Sequence, residues 1–494
     1  MNELEKIKEL VILNKNTLNY SREEAKQKVL ELKSRIKADI QESVIDGILD
    51  EVYGNEYSWF EKGVFIPKIL GDCIMDKYIF KSIPSRNSTI YVYDGGVYKD
   101  SGEAVIKEEA RKMLGKKAKN LYINEVIGHI EQSTYIFQNQ INQDPYIINL
   151  KNGFYYLLEK KLKPHNPEIF SITQLPVYYD PEADCPLIKK FVSEIVYKEF
   201  VPVIQELFGY LLWKDYFIQK AFMFVGEGSN GKSTLIKLIK AFLGEENISS
   251  VALQNLDKNR FATSSLYGKM ANLYSDISDE ALFKTGVFKI LTGGDTIQAE
   301  KKYKDDFKFV NFAKLIFACN KIPETRDNTE AFFRRWIIIT FPNKFEGASD
   351  DKGLIAKLTS EKELSGLFNW ALEGLERLLK NNSFSNVSPT EETSKIYMKM
   401  SSSVAGFVID CCVVDLDNEM SKDDLYSAYC QYCRENKFFI YNKEVFFRKL
   451  AIYAEHLKVI RVKEGLRRVW KIKGLRLKEE YGQNEKEEGL GDFL

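Results

Sequence analysis

With 494 residues, 44% hydrophobic and 29% charged, the chain can bury a large core and falls outside the disordered class; at roughly 150 residues per domain it has room for about three domains. Lysine plus arginine and aspartate plus glutamate each number 71, a formal net charge of zero, which excludes a chain basic throughout and leaves nucleic-acid contact to local patches. The three histidines, His129, His165 and His456, are too widely spaced for a multi-histidine metal site.

Met1 to Lys15 mixes acids and bases, and nowhere does a run of about 18 apolar residues occur. The expectation is a soluble protein without membrane contact, in the cytoplasm of a bacterial or archaeal host or at a viral replication site. Seven cysteines do not make a disulfide framework, which fits a reducing compartment. Cys430 and Cys433 are spaced C-x-x-C, with Cys411 and Cys412 upstream, and a zinc site would use all four. Adjacent cysteines are poor zinc-ligand spacing, however. Leu425, Tyr429 and Cys433 share one face of a helix over 424–436, so the core reading is preferred.

In chain order, residues 1–60 read as two helices. The second opens on Ser21-Arg22-Glu23-Glu24, a capping box, and carries Ala25, Val29, Leu32, Ile36 and Ile40 at helical spacing. Residues 61–200 read as an α+β region. Within it, 88–98 looks like a hairpin with Asp94-Gly95 as the turn, and a helical segment covers about 104–130. Residues 201–380 alternate strand and helix. Linker-type residues follow over 381–390, then a small domain over 395–478 and an acidic, glycine-containing tail over 479–494 expected to be disordered. No internal repeat is visible. The fold class expected is multidomain α/β around a parallel sheet.

The strongest signal lies at 221–243. A buried-strand run, Ala221 to Val225, leads into Gly226, Glu227, Gly228, Ser229, Asn230, Gly231, Lys232, Ser233 and Thr234, and an apolar-periodic helix follows to Leu243. This is G-x-x-x-x-G-K-S between a strand and a helix, the setting the phosphate loop requires. Its glycines let backbone N–H groups and the helix N-terminus face a phosphate. Lys232 would neutralise β- and γ-phosphate charge, and Ser233 would offer its hydroxyl to Mg2+. ATP and Mg2+ are therefore the expected ligands.

Spacing downstream narrows the class. A strand over 270–275 ends in Asp276, 43 residues after Ser233. A carboxylate there suits a Walker B role, holding Mg2+ through water and orienting the attacking water. Asp279 and Glu280 are weaker candidates. A third strand, 313–319, ends in Asn320, whose amide can bond a γ-phosphate or the nucleophilic water. Fifteen residues on, Arg334-Arg335 enters a fourth strand, 336–341. Arg335 is the candidate arginine finger for a neighbouring subunit, against the plain reading of a structural ion pair. Between these lie Gly293-Gly294-Asp295 and Lys301-Lys302-Tyr303-Lys304, a short hairpin with a basic tip. Lys302 and Lys304 could grip a phosphate backbone and Tyr303 stack on a base, though an ordinary solvated charge run reads the same way.

Near the C-terminus, Ser421 and Asn442 are candidate N-caps for two helices, the second with Phe446, Leu450 and Tyr453 on one face. The stretch 459–478 holds eight basic residues and one acidic residue, alternating with apolar ones around a glycine turn. Helices followed by a basic hairpin suggest a winged helix; a hairpin presenting one basic face could contact several phosphates, with Arg467, Arg468 and Lys471 as DNA-binding candidates, though a solvated strand face reads the same way.

These motifs, in this order, resemble the superfamily 3 helicases, and most closely the phage/plasmid and poxvirus-type primase-helicase family. The resemblance rests on 226–234, Leu291-Thr292-Gly293-Gly294-Asp295, Lys302 after Ala299-Glu300, Ile316 to Pro323, and Phe333 to Phe341. It reaches upstream through Tyr179-Asp180-Pro181 and Leu207-Phe208-Gly209-Tyr210. It implies an AAA+ motor with Asn320 as sensor 1, a hexameric ring, and ATP-driven unwinding of duplex DNA, usually 3′ to 5′, with single-stranded and forked DNA as partners. It also places Lys302 on the hairpin lining the ring's pore and likens the C-terminal domain to the family's own extension. Many relatives carry an N-terminal primase domain. The roughly 60 helical residues here hold nothing like its site, so primase activity is not expected and a separate primase or polymerase is the implied partner. The competing reading is an ATP-switched DNA-binding initiator or loader that does not unwind processively.

Overall fold

The computed structural model describes residues 3–16, 22–36, 42–53, 59–61, 63–84, 88–137, 141, 144–259, 261–300, 306–345, 353–454, 456–464 and 467–478. Lys302, Tyr303 and Lys304, the Ser21 cap and the tail 479–494 lie outside these residues. The chain divides into two compact units, 1–142 with 166–172, and 143–165 with 173–494.

The first unit begins with three helices, not the two expected: Glu3–Asn16, Arg22–Ile36 and Glu42–Tyr53. The third shows its reason in sequence, since Ile45, Ile48, Leu49 and Val52 recur at helical spacing, and the first three are buried with Ile7, Val11, Ala25 and Val29. Farther along, Phe80–Ile83, Thr89–Asp94 and Val97–Lys99 form an antiparallel sheet. The expected hairpin is present, but its turn is shifted by one residue. Asp94 pairs with Val97, so Gly95 and Gly96, with φ of 57° and 96°, are the two central residues. That is the primed turn whose twist matches the strands, and it needs positive φ at both positions. The helical segment beyond is two helices, Gly102–Leu114 and Asn120–Ser133, parted at Gly115.

The second unit is built on a five-stranded, all-parallel sheet. Its order is Ile248–Ser249, Ala271–Tyr274, Lys314–Cys319, Ala221–Val225 and Trp336–Thr340. The strands read as near-continuous apolar runs because both faces are covered, as parallel sheets require. One face packs on Lys232–Leu243, Val201–Leu212, Pro186–Ile195 and Glu361–Asn381; the other carries Phe288, Leu291, Phe332 and Tyr397. An antiparallel pair, Thr296–Ala299 with Phe307–Val310, forms the expected hairpin.

The linker-type stretch is anchored rather than loose. The fully buried carboxylate of Glu206 accepts hydrogen bonds from Ser385 N and Oγ at 2.7 and 2.6 Å and from Arg377 Nε at 2.5 Å. Helix Thr390–Ser401 then lays Tyr397 between Phe332 and Phe333, its hydroxyl donating to Pro323 O at 2.9 Å.

The chain ends in helix Ser403–Cys411, strand Cys412–Ser421, helices Lys422–Glu435 and Lys443–Tyr453, and strands Lys458–Glu464 and Arg467–Leu477. Strand Cys412–Ser421 was not foreseen; it completes an antiparallel sheet in the order 412–421, 467–477, 458–464. Ser421 and Asn442 cap as expected, accepting from Asp423 N and Val445 N. Cys411, Cys412 and Cys433 sit in the core with Phe407, Tyr429, Phe446 and Leu450.

Candidate functional site

A cavity of about 810 Å3 opens at the carboxyl ends of the parallel strands. Its floor is the loop between strand Ala221–Val225 and helix Lys232–Leu243. Two glycines there are dictated by geometry. A Cβ on Gly226 would sit 1.9 Å from Asn230 Nδ2, and one on Gly231, whose φ is 87°, would sit 2.5 Å from Ile195 Cγ2. The loop is locked to the neighbouring strand by Asn230 Nδ2, which donates to Phe341 O at 3.4 Å, and by Phe345 N, which donates to Ser229 O at 2.7 Å.

Lys232 opens the helix, and its ammonium turns back onto the loop, donating to Gly226 O at 2.5 Å and Asn230 Oδ1 at 3.0 Å. Burial pulls its pKa below the ordinary lysine value, and the nearby Asp276 works the other way. Ser233 and Thr234 occupy the first helical turn, where backbone N–H groups face the cavity. Together these make a cradle for a polyanion: one half-desolvated cation, a helix N-terminus and a glycine loop too tight for side chains.

The other polar groups come from adjacent strands. Ser275 and Asp276 follow strand Ala271–Tyr274, Asn320 follows Lys314–Cys319, and all three line the cavity. Because the Lys314–Cys319 strand lies between the other two, Asn320 stands between the phosphate loop and Asp276. Burial pushes the neighbouring Cys319 thiol up to about 12, so it is uncharged and Asp276 supplies the negative charge there. Asp279 and Glu280 are not among the lining residues, and Glu280 is held by Lys258 at 2.5 Å. Of the sequence candidates, the structure thus brings together Gly228 to Thr234, Asp276 and Asn320. Gly226 supports from beneath, and Glu227 points outward to Lys344 at 3.2 Å.

Arg335 is not brought there. It is 7% exposed at the amino end of strand Trp336–Thr340, donating from Nε to Thr292 Oγ1 at 2.9 Å and from Nη1 to Ala331 O. Burial and its neighbour Arg334 pull its pKa below the ordinary arginine value. Arg334 is the exposed member of the pair, its Nη2 donating to Gln219 Oε1 at 3.2 Å.

Several lining residues escaped the motif reading. Lys237 could have been found, lying one turn beyond Ser233 on the same helix face; it lines the cavity with Lys190 and Lys357. Phe191, Phe345, Leu354 and Ile355 give the cavity an apolar wall, brought from segments that no local pattern ties to the loop.

The basic hairpin departs from its expected form. Register pairs Lys463 with Arg468, Arg461 with Trp470 and Ile460 with Lys471, so Arg468 and Lys471 lie on opposite faces, not on one. The backbone of Arg467 pairs with Glu464. Among the described residues no helix is long and apolar enough to cross a membrane.

Two family profiles match the chain: "D5 N terminal like" over residues 72–197, and a family of unknown function, DUF5906, over 224–335. Two viral proteins named as helicases are similar to it. L207/L206 of Acanthamoeba polyphaga mimivirus is 26% identical over 250 residues, covering 47% of this chain and 26% of the relative. Protein 184R of Invertebrate iridescent virus 6 is 27% identical over 239 residues, covering 44% and 24%. The chain thus spans about a quarter of the length of these relatives. Among solved structures, the apo C-terminal region of NrS-1 superposes with a TM-score of 0.45 at 12% identity, covering 83% of this chain and 99% of that one.

Proposed function

The chain belongs to the superfamily 3 helicases of the phage/plasmid and poxvirus-type primase-helicase family, and from that premise we propose that it hydrolyses ATP to unwind DNA as a hexameric ring during replication of a virus, phage or plasmid-like element. The observation that carries the proposal is the convergence of Lys232, Ser233, Asp276 and Asn320 on one cavity, from three adjacent strand ends.

In this reading the loop amides and Lys232 hold the β- and γ-phosphates, and charge that builds there is met by groups already fixed in place. The cavity fits the nucleotide: its polar end is the cradle, and Phe191, Phe345 and Leu354 offer an apolar wall to a base. Ser233 and Asp276 would hold Mg2+, which when bound neutralises charge between the phosphates. Asn320 positions the attacking water. In the trans reading Arg334 is the cation that reaches a neighbour's phosphate, and Arg335 is the group that holds the Arg334 turn. Lys302 and Lys304 would line the pore, and residues 403–477 would act as a winged helix on DNA, with a separate primase as partner.

The test is ATP hydrolysis with and without single-stranded DNA, beside release of a labelled strand from 3′- and 5′-tailed duplexes. Hydrolysis-dependent release on one tail polarity is expected. Binding and hydrolysis without release would replace the motor with the initiator or loader.

A further inference from the structure

The C-terminal hairpin holds an aromatic group that neither the core nor the phosphate contacts proposed above use. Side chains directly opposed in an antiparallel pair share a face. Val459 with Ile472, Arg461 with Trp470 and Lys463 with Arg468 therefore form three successive rungs of one face. At the inner rung Ile472 is 2% exposed and belongs to the domain core. Val459, opposite Ile472, is 55% exposed, and one rung out Trp470 is 51% exposed. Arg461 lies 5.3 Å from the centroid of the indole, close enough to steady the ring while half its surface stays open. Lys463 and Arg468, both exposed, complete the face beyond it. Across these rungs the face carries three cations and no carboxylate, whereas the opposite face alternates Lys458, Lys471 and Lys473 with apolar residues and sets Glu419 beside Lys473.

A large indole left in water among cations, with no carboxylate opposed to them on these rungs, is complementary to a ligand that is flat, aromatic and polyanionic. We propose that this face is a single-stranded DNA site, in which an unpaired base stacks on Trp470 and the flanking phosphates pair with Arg461, Lys463 and Arg468. The proposal rests on the DNA-binding reading of the hairpin and deepens it by separating two surfaces. In duplex DNA the base faces are occupied by their neighbours and only edges and phosphates are offered, so a stacking ring selects unpaired strand. Lysines on the opposite face need only phosphates and suit either form.

The experiment measures affinity of the full chain, without nucleotide and at fixed salt, for a labelled oligo-dT and for a blunt duplex of equal length. Wild type is compared with Trp470→Ala, Trp470→Phe and Lys471→Ala. Trp470→Ala is expected to weaken oligo-dT roughly tenfold and leave the duplex within about twofold. Trp470→Phe, which keeps a ring and guards against a folding artefact, should recover most of the loss. Oligo-dT should also quench indole fluorescence in wild type more than in Trp470→Phe. Equal losses on both ligands would overturn the single-strand assignment in favour of duplex. Loss only in Lys471→Ala would overturn stacking while the hairpin's DNA role stands. No change in any variant would overturn that role and this proposal together.

Discussion

The two edges of the parallel sheet treat polar residues in opposite ways. At the carboxyl edge, Asp276 and Asn320 are exposed on loops around a cavity, and Lys232 is satisfied only by its own loop. At the amino edge the cations are consumed by the fold. Lys314 is wholly buried, its ammonium donating to Trp213 O, Phe312 O and Asp215 O at 2.7–2.8 Å and lying 4.4 Å from the Tyr210 ring. Lys220 donates to Arg334 O at 2.5 Å, and Arg335 is bonded to Thr292 Oγ1 and to Ala331 O. The buried cations at these strand starts, Lys314 and Arg335, serve as anchors, whereas Lys232, Asp276 and Asn320 at the strand ends face the cavity. The difference follows from where parallel strands leave their loops free: chain reversal at the amino edge brings carbonyls inward, while the carboxyl edge is left to ligands.

The largest effect should come from the carboxyl edge. Lys232→Ala is expected to lower ATP turnover on the order of a hundred- to thousandfold with little change in melting temperature, since its side chain lines the cavity and belongs to no apolar core. Steady-state hydrolysis and a thermal melt on the same sample decide it; normal turnover would take the cavity out of the reaction.

Arg335 is the sharpest test of the amino edge. Removing it strands Thr292 Oγ1 and Ala331 O, so Arg335→Ala should cost about 2–3 kcal/mol of stability, read by denaturant unfolding. Arg334→Ala should leave stability unchanged yet lower hydrolysis, and should poison mixed rings. If Arg335→Ala instead melts like wild type while hydrolysis vanishes, Arg335 is the trans group and the contrast between edges breaks at that residue.

What was legible in the sequence follows the same division. Strands at 221, 271, 314 and 336 announced themselves as apolar runs; Asp276 and Asn320 stood one or two places past a run's end, and Lys232 followed its run through the glycine loop. The burial of Arg335 was not legible, because it is bonded to Thr292, 43 residues away in the chain. Lys314 read as an unremarked strand start, since its acceptors at 213 and 215 come from about a hundred residues earlier. The hairpin's faces were misread because alternation shows which residues share a face only once the register is set, and one residue of slip exchanges them.

The amino edge also carries a pH signature. Burial pushes Lys214 down to about 8 from the ordinary 10.5. The unfolded chain therefore binds the proton more tightly, and this group opposes folding below pH 8. The penalty is relieved as pH rises from about 8 to 10.5, so stability should climb in that window. Lys214→Met should flatten the climb by on the order of 1–2 kcal/mol relative to wild type, measured by urea unfolding at pH 7.5 and 10. A difference independent of pH would mean that Lys214 is not buried as a cation and that the edge is more open than described.

The smallest effect tests whether the carboxyl edge is free or braced. Four residues past Asn320, both carboxylate oxygens of Glu324 accept from Lys449 Nζ at 2.7 Å, and Lys449 sits on helix Lys443–Tyr453 of the C-terminal part. Tyr397 holds Pro323 O in the same loop. An ion pair this shielded should show a coupling of about 1 kcal/mol in a Glu324→Gln, Lys449→Met double-mutant cycle on stability. If the pair also sets Asn320, either single variant should lower the maximal hydrolysis rate several-fold with KM for ATP unchanged, because Asn320 is proposed to position water rather than to bind the nucleotide. Additive stability effects with an unaltered rate would show that the loop needs no brace, and that position at the strand end alone makes Asn320 available.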